Sequence, residues 1–113
     1  MVVLHIVYHK FKPHMTPADI ERHYREDLER MPFVLGWNHY SNLSLASRAD
    51  VNQGFSHGVV MYLKDMADLE KYLPHPEHVK VKEIQAPMME KVMVTDLEEP
   101  MLSGWPNGSP AAT

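Results

Sequence analysis

The segment Val2-Val3-Leu4-His5-Ile6-Val7-Tyr8-His9-Lys10-Phe11 constrains the fold more than any other part of the chain. β-Branched and aromatic residues dominate it, which argues for a strand. Side chains alternate across a strand. Val3, His5, Val7, His9 and Phe11 therefore share one face, and Val2, Leu4, Ile6 and Tyr8 the other. Both faces are largely apolar, so this strand is expected to be covered on both sides.

The chain has 113 residues, the size of one domain. A core of that size is modest, and pairing with a second copy would help it. With 44% hydrophobic and 23% charged residues the mixture is that of a globular protein. The net charge is −4 and no basic patch stands out, which argues against a nucleic-acid partner. The absence of cysteine excludes disulfides and thiolate chemistry and fits a cytoplasmic setting. His5, His9 and Lys10 interrupt the first apolar stretch, so it is too short for a signal-peptide core or a membrane span.

Thr16-Pro17-Ala18-Asp19 opens a helix. Thr16 can cap it, Pro17 suits its first position and Asp19 forms a short capping box. Ile20, Tyr24, Leu28 and Met31 follow at helical spacing, with His23 and Asp27 beside them and charges on the other side; Pro32 marks the end. A weaker strand is expected over Leu35 to Leu45 and a polar turn over Ser47 to Gly54. Phe55 to Leu63 alternates as a strand, with Phe55, His57, Val59, Met61 and Leu63 on one face. A short helix follows over Asp65 to Tyr72, a second short one opens at His75-Pro76, and Met89 to Leu97 is the last strand. The order β-α-β-β-α-(α)-β is the split βαβ of ferredoxin-like α+β folds. It predicts a four-stranded antiparallel sheet with helices on one face, over residues 1–99. Residues 100–113, rich in Gly, Pro, Ser and Ala, read as a flexible tail, with Trp105 loosely held in it.

Such a sheet leaves a bare face of Leu4, Ile6, Tyr8, Val60 and Tyr62. That face is too apolar for water. A homodimer packed sheet to sheet would cover it.

Eight histidines are many for this length, and histidine titrates near neutrality. The segment Tyr72-Leu73-Pro74-His75-Pro76-Glu77-His78 is the richest in chemistry. Pro76 fits the first helical position, so His78 sits in the first turn, where the helix dipole disfavours imidazolium. A neutral imidazole there can accept a proton. Tyr72 can fold back to orient it or to hold a developing oxyanion. Against this stands the plainer reading, in which His75 and His78 cap and brace a tight turn. His5 and His57 fall on the faces assigned to the helix side, with Val7, His9, Val59, Met61, Tyr24 and Leu28. A polar cluster at the mouth of an apolar pocket is the expected result. His75 and His78 also form an H-x-x-H pair, but His75 reads as a cap and no acidic residue completes a zinc site. No metal is therefore expected. There is neither a serine elbow nor a glycine-rich phosphate loop.

Several motifs resemble the stress-responsive dimeric A/B barrel family. They are the strand Phe55-Ser56-His57-Gly58-Val59-Val60-Met61, the turn Tyr72-Leu73-Pro74-His75-Pro76-Glu77-His78, the run Glu90-Lys91-Val92-Met93-Val94-Thr95-Asp96, and the opening His5-Ile6-Val7 with Lys10-Phe11-Lys12. The resemblance extends from residue 2 to about 98 and implies the same fold and a dimer. Some members cyclise polyketides by aldol chemistry without a cofactor. Likeness to them implies His78 as general base, Tyr72 as its partner, and His5 and His57 as pocket histidines contributing to activity. It implies a substrate pocket of Val7, His9, His23, Tyr24, Leu28, Val59, Met61 and Leu73, and a polyketide synthase as the source of the linear chain. His9 stands where an apolar wall is expected, and His23 and Tyr24 where cyclising members carry two pocket aromatics. Other proton-transfer reactions, such as dehydration, isomerisation or decarboxylation, would use the same residues. A non-catalytic stress or small-molecule-binding role would leave Tyr72 and His78 to lock the turn.

Overall fold

The computed structural model describes residues 2–28, 32–41 and 52–98. The expectations for Met31, for residues 42–51 and for the tail with Trp105 lie outside these. The elements follow in the order β1 (Val3–Phe11), α1 (Pro17–Asp27), β2 (Val34–Ser41), β3 (His57–Leu63), α2 (Met66–Tyr72), α3 (Pro76–Gln85) and β4 (Met89–Glu98).

Local chemistry accounts for the helix starts. The Thr16 hydroxyl accepts from the Asp19 N–H at 3.1 Å, and the Asp19 carboxylate accepts from the Thr16 N–H at 3.0 Å. The short aspartate thus closes a full capping box. Asp65 caps α2 by accepting from the Asp68 N–H at 2.8 Å. His75 caps α3 by accepting from the Glu77 N–H at 3.1 Å, with Pro76 next. The helix α3 runs ten residues, longer than the short helix expected. Strand β3 begins at His57 rather than Phe55, which is buried in the preceding loop.

The strands pair antiparallel in the order β2-β3-β1-β4, so the fold is ferredoxin-like α+β with β1 and β3 central. Alternation along β1 is as expected. Val3, His5, His9 and Phe11 are buried under the helices, while Leu4, Ile6 and Tyr8 are half-buried on the outer face. Leu4 pairs with Leu97 and Tyr8 with Met93, both exposed, and Ile6 pairs with Val60. The outer face is therefore largely apolar, with Thr95 and Asn38 on it beside Ile6 and Val60. The inner core joins Val3, Tyr24, Leu28, Val59, Leu63 and Tyr72. Among the described residues no helix is long and apolar enough to cross a membrane.

Candidate active site

Between the inner face of the sheet and α3 lies a cavity of about 260 Å³. The end of α2, the turn and the start of α3 bring Tyr72 and His78 to it; β1 brings His5; β4 brings Asp96. Val7, Leu28, Val59 and Met61 form its apolar wall, and His9 and Leu73 also line it.

Tyr72 does fold back onto His78. Their ring centroids are 4.5 Å apart, and the His5 and Tyr72 rings make a T-shaped contact with centroids 5.7 Å apart. The Tyr72 hydroxyl donates to the Met61 sulfur at 3.5 Å. The His78 Nδ1 lies 2.8 Å from the Leu73 carbonyl oxygen. A carbonyl can only accept, so Nδ1 carries the hydrogen and the neutral ring keeps its lone pair on Nε2. Burial holds His78 below its ordinary pKa, helped by the charges of Lys82 and His5 and opposed by the bond to Leu73. At neutral pH that Nε2 is a base. Burial also raises the Tyr72 phenol well above its usual range, so it stays a hydrogen-bond donor.

His5, 2% exposed, donates from Nδ1 to the Asp96 carboxylate at 2.5 Å. The carboxylate fixes the tautomer and leaves Nε2 as the ring's second nitrogen. Two imidazoles with the same tautomer thus flank Tyr72. Asp96 was not singled out in the sequence, yet its signal was there. Alternation along β4 puts Asp96 on the face of Val92 and Val94, and the register sets it opposite His5. Lys82 and Gln85, on the cavity side of α3, were also missed. They lie one and two turns after His78, at the spacing that stacks side chains on one helix face.

Three expected pocket residues lie elsewhere. His57 pairs with His9 and not with His5, whose partner is Met61. Antiparallel pairing therefore carries His57 away from Tyr72, to Phe11 at 5.2 Å and Tyr24 at 6.1 Å between centroids. His23 and Tyr24 stand behind the cavity wall. His23 donates from Nδ1 to Asp27 at 2.7 Å and accepts from the Gln85 amide at 3.1 Å. Tyr24 stacks on His39 at 4.8 Å and holds the His9 Nδ1 through its hydroxyl at 2.7 Å.

A larger hollow, about 510 Å³, opens on the outer face among Ile6, Tyr8, Tyr40, Phe55 and Met93. His57 reaches its edge, with its ring on the Ser56 hydroxyl, and among the described residues no Asp or Glu lines the hollow, so the acid–base constellation belongs to the smaller inner cavity. Among the described residues no group of three or more His, Asp or Glu side chains is placed to hold a metal ion.

The solved structures that resemble this fold include a protein of Arabidopsis thaliana, 22% identical, covering 89% of this chain and 98% of its own, with a TM-score of 0.76. A hydroxynitrile lyase from Passiflora edulis is 23% identical, with 89% and 97% covered and a TM-score of 0.71. A dimeric ferredoxin-like protein from Thermobifida fusca is 21% identical, with 86% and 90% covered and a TM-score of 0.67. At these identities the likeness is one of fold. No curated protein matches the sequence. The family model of the stress responsive A/B barrel domain matches residues 3–99, and the chain belongs to that family.

Proposed function

We propose that the inner cavity is the active site of a cofactor-independent enzyme that moves protons on a carbonyl substrate, and that its reaction is the aldol-type cyclisation of a poly-β-keto chain. The observation that carries this is the His78 ring. It is pinned through Nδ1 to a backbone carbonyl, lowered in pKa, and set against Tyr72 on the wall of an apolar cavity. His78 Nε2 takes a proton from a carbon between two carbonyls. The Tyr72 hydroxyl hydrogen-bonds the enolate oxygen. The nucleophilic carbon then attacks a second carbonyl of the same chain, and the new alkoxide takes back the proton that His78 carries, so the base is regenerated; His5, held by Asp96, braces Tyr72 at the reactive end. A positioned base contributes about 10²–10⁴-fold. Folding the chain into a reactive shape contributes comparably. The likeness to the Passiflora edulis hydroxynitrile lyase favours a second reading, a lyase that cleaves rather than joins at a carbonyl carbon with the same base.

The outer face fits a homodimer. Leu4, Ile6, Tyr8, Met93 and Leu97 are a patch that water disfavours, and the Thermobifida fusca neighbour is dimeric. A monodisperse monomer on dilute sizing would sink that proposal.

The decisive experiment supplies linear tri- to pentaketides from a polyketide synthase to wild type and His78→Ala. A carbocyclic product that vanishes in the variant establishes the cyclase and its base. Unchanged pyrone by-products with both proteins reject cyclisation and leave the lyase reading, tested by release of an aldehyde or ketone from its adducts.

A further inference from the structure

His9 is 1% exposed and sits on the cavity wall. Its Nδ1 is held by the Tyr24 hydroxyl. Its Nε2 is closed to solvent and has no hydrogen-bond partner among the described residues. Leaving such an atom unpaired costs about 1–3 kcal/mol. Phe11, its neighbour on the same face, buries a ring beside it without that penalty. Packing therefore gives no reason for a nitrogen at position 9.

The position of His9 supplies one. It lies four residues from His5 on the same face of β1, about 13 Å along the strand. Val7 lies between them, paired with Val59 on one side and Val94 on the other, so the middle of the cavity is apolar. The cavity thus has a reactive end, an apolar middle and a polar far end. Burial, with the charges of His23 and His57, lowers His9 to about 4, so the ring is neutral under physiological conditions.

We infer that the far end is a specificity subsite, in which His9 Nε2 hydrogen-bonds a hydroxyl at the tail of the substrate, so that the preferred chain ends in a polar group and not in plain alkyl. A hydroxyl both donates and accepts, so it satisfies Nε2 whichever way the hydrogen of the Tyr24 bond is placed. Nε2 is closed over by its neighbours, so a ligand reaches it by displacing part of the cavity wall. The inference rests on the inner cavity being the substrate site.

The test is the affinity of the full chain for two probes, nonane-2,4-dione and 9-hydroxynonane-2,4-dione, by calorimetry. Wild type is expected to bind the hydroxylated dione about tenfold more tightly, the worth of one hydrogen bond. His9→Phe is expected to abolish or reverse that preference. Should this variant fold poorly, the wild-type protein with ¹⁵N-labelled histidine serves alone: the His9 Nε2 resonance moves with the hydroxylated probe and not with the alkyl one. Equal affinities in wild type, including no binding of either probe, or an unmoved Nε2 resonance, overturn the inference. Because binding is read without turnover, the outcomes separate. A hydroxyl preference alongside an active His78→Ala removes the catalytic proposal and keeps the subsite; equal affinities alongside an inactive His78→Ala do the reverse.

Discussion

The inner face of the sheet has two polar ends, and they differ in what holds their rings. At one end His78 and His5 each donate through Nδ1 to an oxygen that can only accept, the Leu73 carbonyl and the Asp96 carboxylate. Their tautomers are thereby set, and both rings line the cavity. At the other end His9 meets a phenol, His57 meets the Ser56 hydroxyl at 2.7 Å, and Tyr24 is sandwiched against His39. Hydroxyls donate or accept, so these rings are held in place without a dictated proton position. The proposed reaction uses an imidazole as a base only where the neighbouring oxygen fixes its proton on Nδ1; at the other end the rings are held by hydroxyls and aromatic contacts.

The largest expected break in that contrast is His78→Ala, with a loss of about 10²–10⁴-fold in kcat/KM and little change in stability. Its counterpart at the far end, His57→Leu, is expected to leave kcat/KM within about twofold, because His57 does not reach the cavity. Loss of activity on both substitutions would erase the distinction between the ends. Next comes acid. The folded pKa of His9 is depressed to about 4 from 6.5, so its neutral form stabilises the fold above pH 6.5 and that stability is lost as the pH falls towards 4. The whole effect is about 3 kcal/mol. Chemical denaturation at stepped pH measures it, and His9→Phe should flatten the profile. Tyr72→Phe is expected to lower kcat by up to about 10²-fold through the lost enolate hydrogen bond, with a smaller change in KM. An equal rise in KM at constant kcat would make Tyr72 a binding group instead. The smallest effect concerns the pH–rate profile. Because His78 titrates below its ordinary value, the acid limb of kcat/KM should lie below pH 6.5, and Lys82→Gln should move it upward slightly. A limb unmoved by His78 and Lys82 substitutions alike would assign the proton transfer to another group.

Much of the fold was legible because it is local. The Thr16–Asp19 box, the His75 cap and the alternation of β1 rest on residues within four positions of one another. The Tyr72-to-His78 turn was legible for the same reason, since Pro74, His75 and Pro76 bend the chain so that the two rings meet. His5 was placed correctly by its face. His57 was not, because the face says nothing of position along the strand. His57 and His5 share an inner face, yet pairing with His9 puts His57 four residues from the reactive end. Asp96 escaped for a related reason: its meeting with His5 spans 91 positions of sequence and exists through the β1–β4 register alone.

By itself the sequence determined the order of the elements, the Thr16 and His75 caps, the two-faced first strand and the His78–Tyr72 turn, because each follows from side chains acting on nearby backbone. Tertiary structure decided which histidines share a cavity, which carboxylate fixes His5, and that a His9 nitrogen finds no partner among the described residues. Those outcomes depend on strand register and on what packs over each ring, and both are set by the summed burial of the whole sheet rather than by any one segment.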